Sequence, residues 1–112
     1  MKRPGDRERK KGATEMLVMS LLDSRERHGY EIAKLIVQRS QGELRYGSAA
    51  LYPILYKLER RGLIDGRWVE KPGERRRRFY RLTAAGRREL RALKADWRRF
   101  LDALVRVAEL AP

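Results

Sequence analysis

Apolar residues recur with helical spacing in four stretches of this chain and with strand spacing in two. Leu17, Leu21 and Ser24, with Val18 and Leu22 beside them, draw the first stripe, on a helix that Thr14 can cap and that runs to about Asp23. Gly29 closes the charged link from Ser24 to His28. A second helix is predicted from about Tyr30 to Ser40, offering Ile32, Leu35, Ile36 and Val37 to a core, and Gln41-Gly42 ends it. Glu43 to Tyr46 is expected to be a short extended piece. Ser48 then caps a third helix, in which Leu51, Leu55 and Leu58 share one face with Ile54 nearby. Its opposite face carries Ala49, Pro53, Tyr56 and Arg60, with Tyr52 and Lys57 flanking it. Pro53 removes one backbone hydrogen bond, which predicts an irregular first turn and an ambiguous start. Gly62 is placed as the C-terminal cap.

Two strands follow, Leu63 to Glu70 and Arg75 to Leu82, joined by the turn Lys71-Pro72-Gly73-Glu74. Alternation sends Tyr80 and Leu82 to one face, expected to pack inward, and Phe79 and Arg81 to the other. Thr83 caps a long final helix. Its apolar positions Leu90, Leu93, Trp97, Phe100, Leu104 and Val107 are spaced 3-4-3-4-3, a heptad seam too short for a free coiled coil. Such a helix needs a partner surface, and the expected partner is the same helix of a second copy. The division is a basic flexible arm at 1–13, a three-helix and hairpin unit at 14–82 and a dimerisation helix at 83–112. The fold class is mainly α with a small β-hairpin.

Charge sharpens this picture. The 112 residues carry a net charge of +13. Residues 13–66 hold eight basic and seven acidic side chains, close to neutral, whereas residues 67–82 hold seven basic and two acidic. The surplus therefore sits in the arm, the hairpin and the tail helix. Clustered positive charge points to a polyanion, although a basic proteome would also raise the total. Cysteine is absent and His28 is the only histidine. That leaves no disulfide framework, no thiolate chemistry and no multi-histidine metal site. No catalytic constellation is present, so the chain is read as not an enzyme, with no cofactor. The charged N-terminus has no apolar stretch behind it and nothing approaches a membrane span, so a cytoplasmic location without membrane contact is expected.

A helix that exposes tyrosine and arginine, followed by a basic hairpin, suits duplex DNA. The helix can enter the major groove and the hairpin can lay arginines along phosphates. The candidate DNA-binding residues are Ser48, Ala49, Tyr52, Tyr56, Lys57 and Arg60 on the third helix, with Lys71, Arg75, Arg76, Arg77 and Arg78 on the hairpin. Tyr52 and Tyr56 serve either as contacts or as ring caps on the core edge, and the helical wheel favours Tyr56 as the contact. The four arginines cannot all point one way, so half are expected to reach phosphate and half to pair with Glu70 or Glu74. His28 is read as a cap of the second helix.

The order helix, helix, helix, hairpin is that of a winged helix-turn-helix, and four strings resemble the PadR family of bacterial transcriptional regulators. They are His28-Gly29-Tyr30-Glu31, then Leu51-Tyr52-Pro53, then Leu58-Glu59 with Gly62-Leu63-Ile64, then Arg78-Phe79-Tyr80-Arg81-Leu82-Thr83 with Gly86. The resemblance covers about residues 14–108. It implies a homodimeric DNA-binding repressor whose last helix dimerises, of the compact branch in which aromatic drugs or phenolics bind a pore at the interface. Trp97 falls where such a protein places its interface tryptophan, which makes it the candidate ligand contact and a small aromatic effector a candidate partner. Ala49-Ala50 departs from the Gly-Thr or Gly-Ser that the family often has there, and Ser24-Arg25-Glu26-Arg27 is more charged than the usual link. The expected function is a sequence-specific regulator on a pseudo-palindromic operator. A non-specific nucleic-acid binder is the first rival, and a protein-binding module is the second.

Overall fold

The computed structural model describes the chain from residue 4 to residue 110, with side chains from residue 12 onward. The elements are α1 (Pro4–Ser24), β1 (Arg27–His28), α2 (Gly29–Arg39), α3 (Ser48–Arg60), β2 (Ile64–Val69), β3 (Arg77–Leu82) and α4 (Ala84–Ala108). The strands form one antiparallel sheet in the order β1-β3-β2. Leu51, Leu55 and Leu58 of α3 meet Val18, Met19 and Leu22 of α1 and Ile32 and Ile36 of α2 in a single core. Ile64, Tyr80 and Leu82 close it from the sheet, so Tyr80 and Leu82 do face inward. Each such side chain removed from water contributes roughly 1.5–3 kcal/mol before conformational entropy is charged against it.

Three expectations need correction. The helix expected from Thr14 begins at Pro4, within the stretch read as a flexible arm. Proline fits a first helical turn, and once the packed part of α1 is formed each added residue needs only propagation, which the run Glu8 to Lys11 favours. Residues 1–3 of that arm lie outside the described residues. The extended piece expected at Glu43 to Tyr46 joins no strand, and the sheet takes its third strand from Arg27 and His28 instead. Arg27 is the reason. Its buried guanidinium donates from Nε to the Leu21 carbonyl (2.8 Å) and from Nη2 to Ser24 Oγ (3.0 Å), and Nη1 lies 3.1 Å from Glu31. That web pins β1 between the end of α1 and the start of α2.

The third correction concerns the tail. Leu90 is only 3% exposed and belongs to the core of the chain itself, and Leu93 packs against that core. The heptad spacing is real but its first two positions are already spent within the domain. Thr83 caps α4 through its hydroxyl, which accepts from the Gly86 amide (3.0 Å) and lies 2.8 Å from the Gly62 carbonyl. Gly86 then lets the first turn of α4 settle onto the backbone. A Cβ built there would lie 2.0 Å from the Leu63 carbonyl oxygen. Beyond Leu93 the stripe emerges, with Leu101, Leu104, Val105 and Val107 exposed.

The α3 helix is continuous across Pro53, whose missing donor leaves the Ala49 carbonyl on the exposed side. It ends in a Schellman motif, with Gly62 at φ +73°, the Gly62 amide bonded to the Glu59 carbonyl and the Leu63 amide to the Leu58 carbonyl.

Gly86→Ala gives a sharp test of this packing. Alanine in an exposed helix interior normally stabilises by about 1 kcal/mol relative to glycine. Here the clash with the Leu63 backbone reverses the sign, and a loss of about 3 kcal/mol is expected in chemical denaturation.

Candidate nucleic-acid interface

Because Leu51, Leu55 and Leu58 are buried, Ala49, Pro53, Tyr56 and Arg60 are left outside, and all four are exposed. Tyr56 is 48% exposed. Gly47 is the N-cap and Ser48 the first helical residue, so the expected cap is displaced by one position and the Ser48 side chain is exposed on the first turn. Tyr52 is half-buried and lies against the start of α2, where a Cβ at Gly29 would come 2.9 Å from its hydroxyl. It is a ring cap that also stands 6.1 Å from the Tyr56 ring. Lys57 turns toward α1, with Nζ 3.3 Å from the buried Glu15. Arg61 reaches the same carboxylate at 3.4 Å.

The wing turn is of type II, with Pro72 before Gly73 at φ +75° and the Glu74 amide bonded to the Lys71 carbonyl (3.0 Å). The strands are shorter than expected, since Arg75 and Arg76 precede β3. The register pairs Val69 with Arg77, Trp68 with Arg78 and Gly66 with Tyr80. The four arginines therefore differ in duty. Arg76 lies over the Trp68 ring at 4.3 Å and 3.7 Å from Glu70, the expected kind of partner. Arg78 turns inward. Its guanidinium bonds Glu59 of α3 at 2.5 Å and lies across Gly66, where a Cβ would stand 2.6 Å from Nε. Arg78 thus bolts the wing to α3 and is not on the outer surface expected of it. Arg77 points to the other face, with Nη1 3.1 Å from His28 Nε2. Arg60, Lys71 and Arg75 are exposed, and among the described residues none of them pairs with a carboxylate.

His28 does cap α2. Its Nδ1 accepts from the Glu31 amide at 3.3 Å, with the Phe79 ring edge-on at 5.1 Å between centroids. Burial holds its pKa below the usual 6.5, Arg77 and Arg25 push the same way, and Glu31 opposes them. Burial also raises the Tyr80 phenol, with the Arg78 guanidinium opposing it, so it stays protonated. The roles of Glu59 and Gly66 are invisible to periodicity. A glycine inside a strand is the one signal, because it marks a close approach.

A third helix with one exposed face, set beside a basic two-stranded wing, defines a winged helix-turn-helix protein. Residues 18–92 match the transcriptional regulator PadR-like family, and the chain belongs to it. A transcriptional regulator from Clostridium thermocellum is similar, with 25% identity and a TM-score of 0.78, covering 85% of this chain and 92% of that one. A PadR family regulator from Eggerthella lenta is 30% identical with a TM-score of 0.76, over 94% of this chain and 88% of the other. The structure of Bacillus subtilis PadR in complex with operator DNA matches 74% of this chain and 45% of that one, at 26% identity and a TM-score of 0.63. No helix among the described residues is long and apolar enough to cross a membrane.

The capping role of His28 fixes the sign of a pH effect. A depressed folded pKa means the unfolded chain takes up the proton first, so the stabilising contribution is complete above pH 6.5 and is lost as pH falls toward the lower folded value. The melting temperature is expected to drop between pH 7 and 5.5, and His28→Asn, which can still cap, should flatten that drop. An unchanged slope in the variant would show that His28 is not the titrating group.

Proposed function

We propose that this chain is a homodimeric, sequence-specific DNA-binding regulator of the cytoplasm, a repressor relieved by a small aromatic ligand. One observation carries the reading. Tyr56, on the exposed face of α3 with Ala49 and Arg60, lines one cleft with Arg75 and Arg77 of the wing, and among the described residues Arg60, Lys71 and Arg75 are exposed and pair with no carboxylate. In this reading α3 enters the major groove, with Ser48 and Ala49 at its leading end and Tyr56 and Arg60 against base edges. Lys71, Arg75 and Arg77 take phosphates, while Tyr52, Lys57, Arg76 and Arg78 brace those contacts from behind. The Bacillus subtilis relative bound to operator DNA supports the assignment.

The emergent stripe of α4 supports the dimer. Trp97 and Phe100 meet edge to face at 5.6 Å, and Leu104 and Val107 are 43% and 87% exposed. Exposed apolar area of this kind calls for cover, and a second copy of α4 supplies a self-complementary one. The operator is then a pseudo-palindrome with half-sites about one helical turn apart. Trp97 at that seam offers a flat surface for a planar aromatic compound.

Arg75→Ala should weaken binding to every duplex and lower the salt slope by about 0.9, as one phosphate contact is lost. Arg60→Ala should lower discrimination between operator and random DNA, by about 1–3 kcal/mol for a base-edge contact. Equal loss on both duplexes would demote Arg60 to a phosphate contact, and a ratio near unity in the unsubstituted protein would favour the non-specific reading.

Leu104→Glu should give a folded monomer in sedimentation, since Leu104 contributes nothing to the protomer core. A dimer of undiminished affinity would remove α4 from the interface. In a Trp68→Phe background, planar aromatic compounds should quench Trp97 and release DNA over one concentration range.

A further inference from the structure

The single histidine is asked for more than one tautomer can give. Nδ1 of His28 faces the Glu31 amide at 3.3 Å, and Nε2 faces Arg77 Nη1 at 3.1 Å. Both neighbours are donors only, and a neutral imidazole accepts at one nitrogen. The amide at the start of α2 is held in place by the helix, whereas the Arg77 side chain is exposed and free to swing. The helix therefore claims the acceptor, Nδ1. Nε2 then carries the proton and points outward at a guanidinium, so two donors converge on one spot without an acceptor between them. The spot opens on a cleft of about 350 Å3, lined also by Val69, Lys71, Arg75 and Phe79, with Glu74 as its one carboxylate. Phe79 and Tyr30 hold the plane of the ring.

We propose that His28 Nε2–H and the Arg77 guanidinium together form a seat for one backbone phosphate of duplex DNA. This rests on the DNA-binding reading above and adds to it a contact from outside both the third helix and the wing. An anionic oxygen between the two donors resolves their conflict, accepting from both while Nδ1 continues to cap α2. Arg77 and Arg75 and Lys71 surround the ring with positive charge, and Glu31 and Glu74 oppose them, so His28 acts as a neutral donor.

Neutrality gives the site a signature. A neutral donor displaces no counterion, so its loss lowers affinity without changing the salt slope. In the full-length protein, His28→Asn keeps a capping acceptor but loses the outward N–H. Its affinity for a duplex of mixed sequence should fall about tenfold at every salt concentration, the worth of a hydrogen bond to a charged group. Arg77→Ala should lower the slope by about 0.9. The double variant should lose less than the product of the two, because the donors share one phosphate. Since His28 is the only histidine, an imidazole proton–nitrogen correlation spectrum of the unsubstituted protein reads the tautomer directly. A protonated Nε2 whose resonance moves when duplex is added is expected. A protonated Nδ1, or His28→Asn binding as tightly as the unsubstituted protein, would overturn the proposal. Absence of binding by the unsubstituted protein to any duplex at low salt would instead sink the DNA reading on which it rests.

Discussion

The burial of Leu51, Leu55 and Leu58 in one core fixes the rotation of α3 about its own axis, and the candidate interface depends on that rotation. A helix has no freedom to turn once three residues at i, i+4 and i+7 are locked. Ala49, Pro53, Tyr56 and Arg60 are outside for that reason and need no separate cause. The same core sets the wing. Tyr80 and Leu82 enter it from β3, and alternation then decides which arginines face α3 and which face β1.

Four consecutive arginines thus become unlike residues. Arg78 is drawn in by Glu59, and it reaches that carboxylate only because Gly66 has no side chain in its path. The bond joins a partly shielded pair, so it holds geometry more than it adds stability. Its effect is to make the angle between α3 and the wing a fixed quantity. Arg76 is spread on Trp68, which is 54% exposed, and shields an apolar ring that would otherwise face water. Only Arg75 and Arg77 keep the reach that a phosphate contact needs.

Much of this was legible in the sequence because it follows from period alone. The inward Tyr80 and Leu82, the three buried leucines of α3, the Thr83 cap and the Gly62 terminus are local patterns with local causes. What period could not supply was ownership. Leu90 and Trp97 lie on one seam, yet Leu90 is buried in the domain core and Trp97 is half-buried beyond it, a division set by the close approach at Gly86. The strand at Arg27 and His28 was hidden for a similar reason. Two residues carry no alternation, and a charged side chain such as Arg27 reads as a linker until its three partners are placed around it.

That division of α4 bears on regulation. Its N-terminal turns are seated on the Leu63 backbone and through Leu90 in the core, so the helix and the winged head move as one body. The length from Leu90 to Val107 is about 26 Å at 1.5 Å per residue. In the proposed dimer, a change of crossing angle at Trp97 has no soft joint in which to dissipate before it reaches the head. A tilt of about 5° over that length displaces the far end by roughly 2 Å, comparable to the helix shifts that switch other assemblies. DNA meets such a displacement only by deforming, which costs free energy. A ligand at the α4 seam therefore needs no contact with α3 or the wing to change operator affinity, provided it prefers one crossing angle over another.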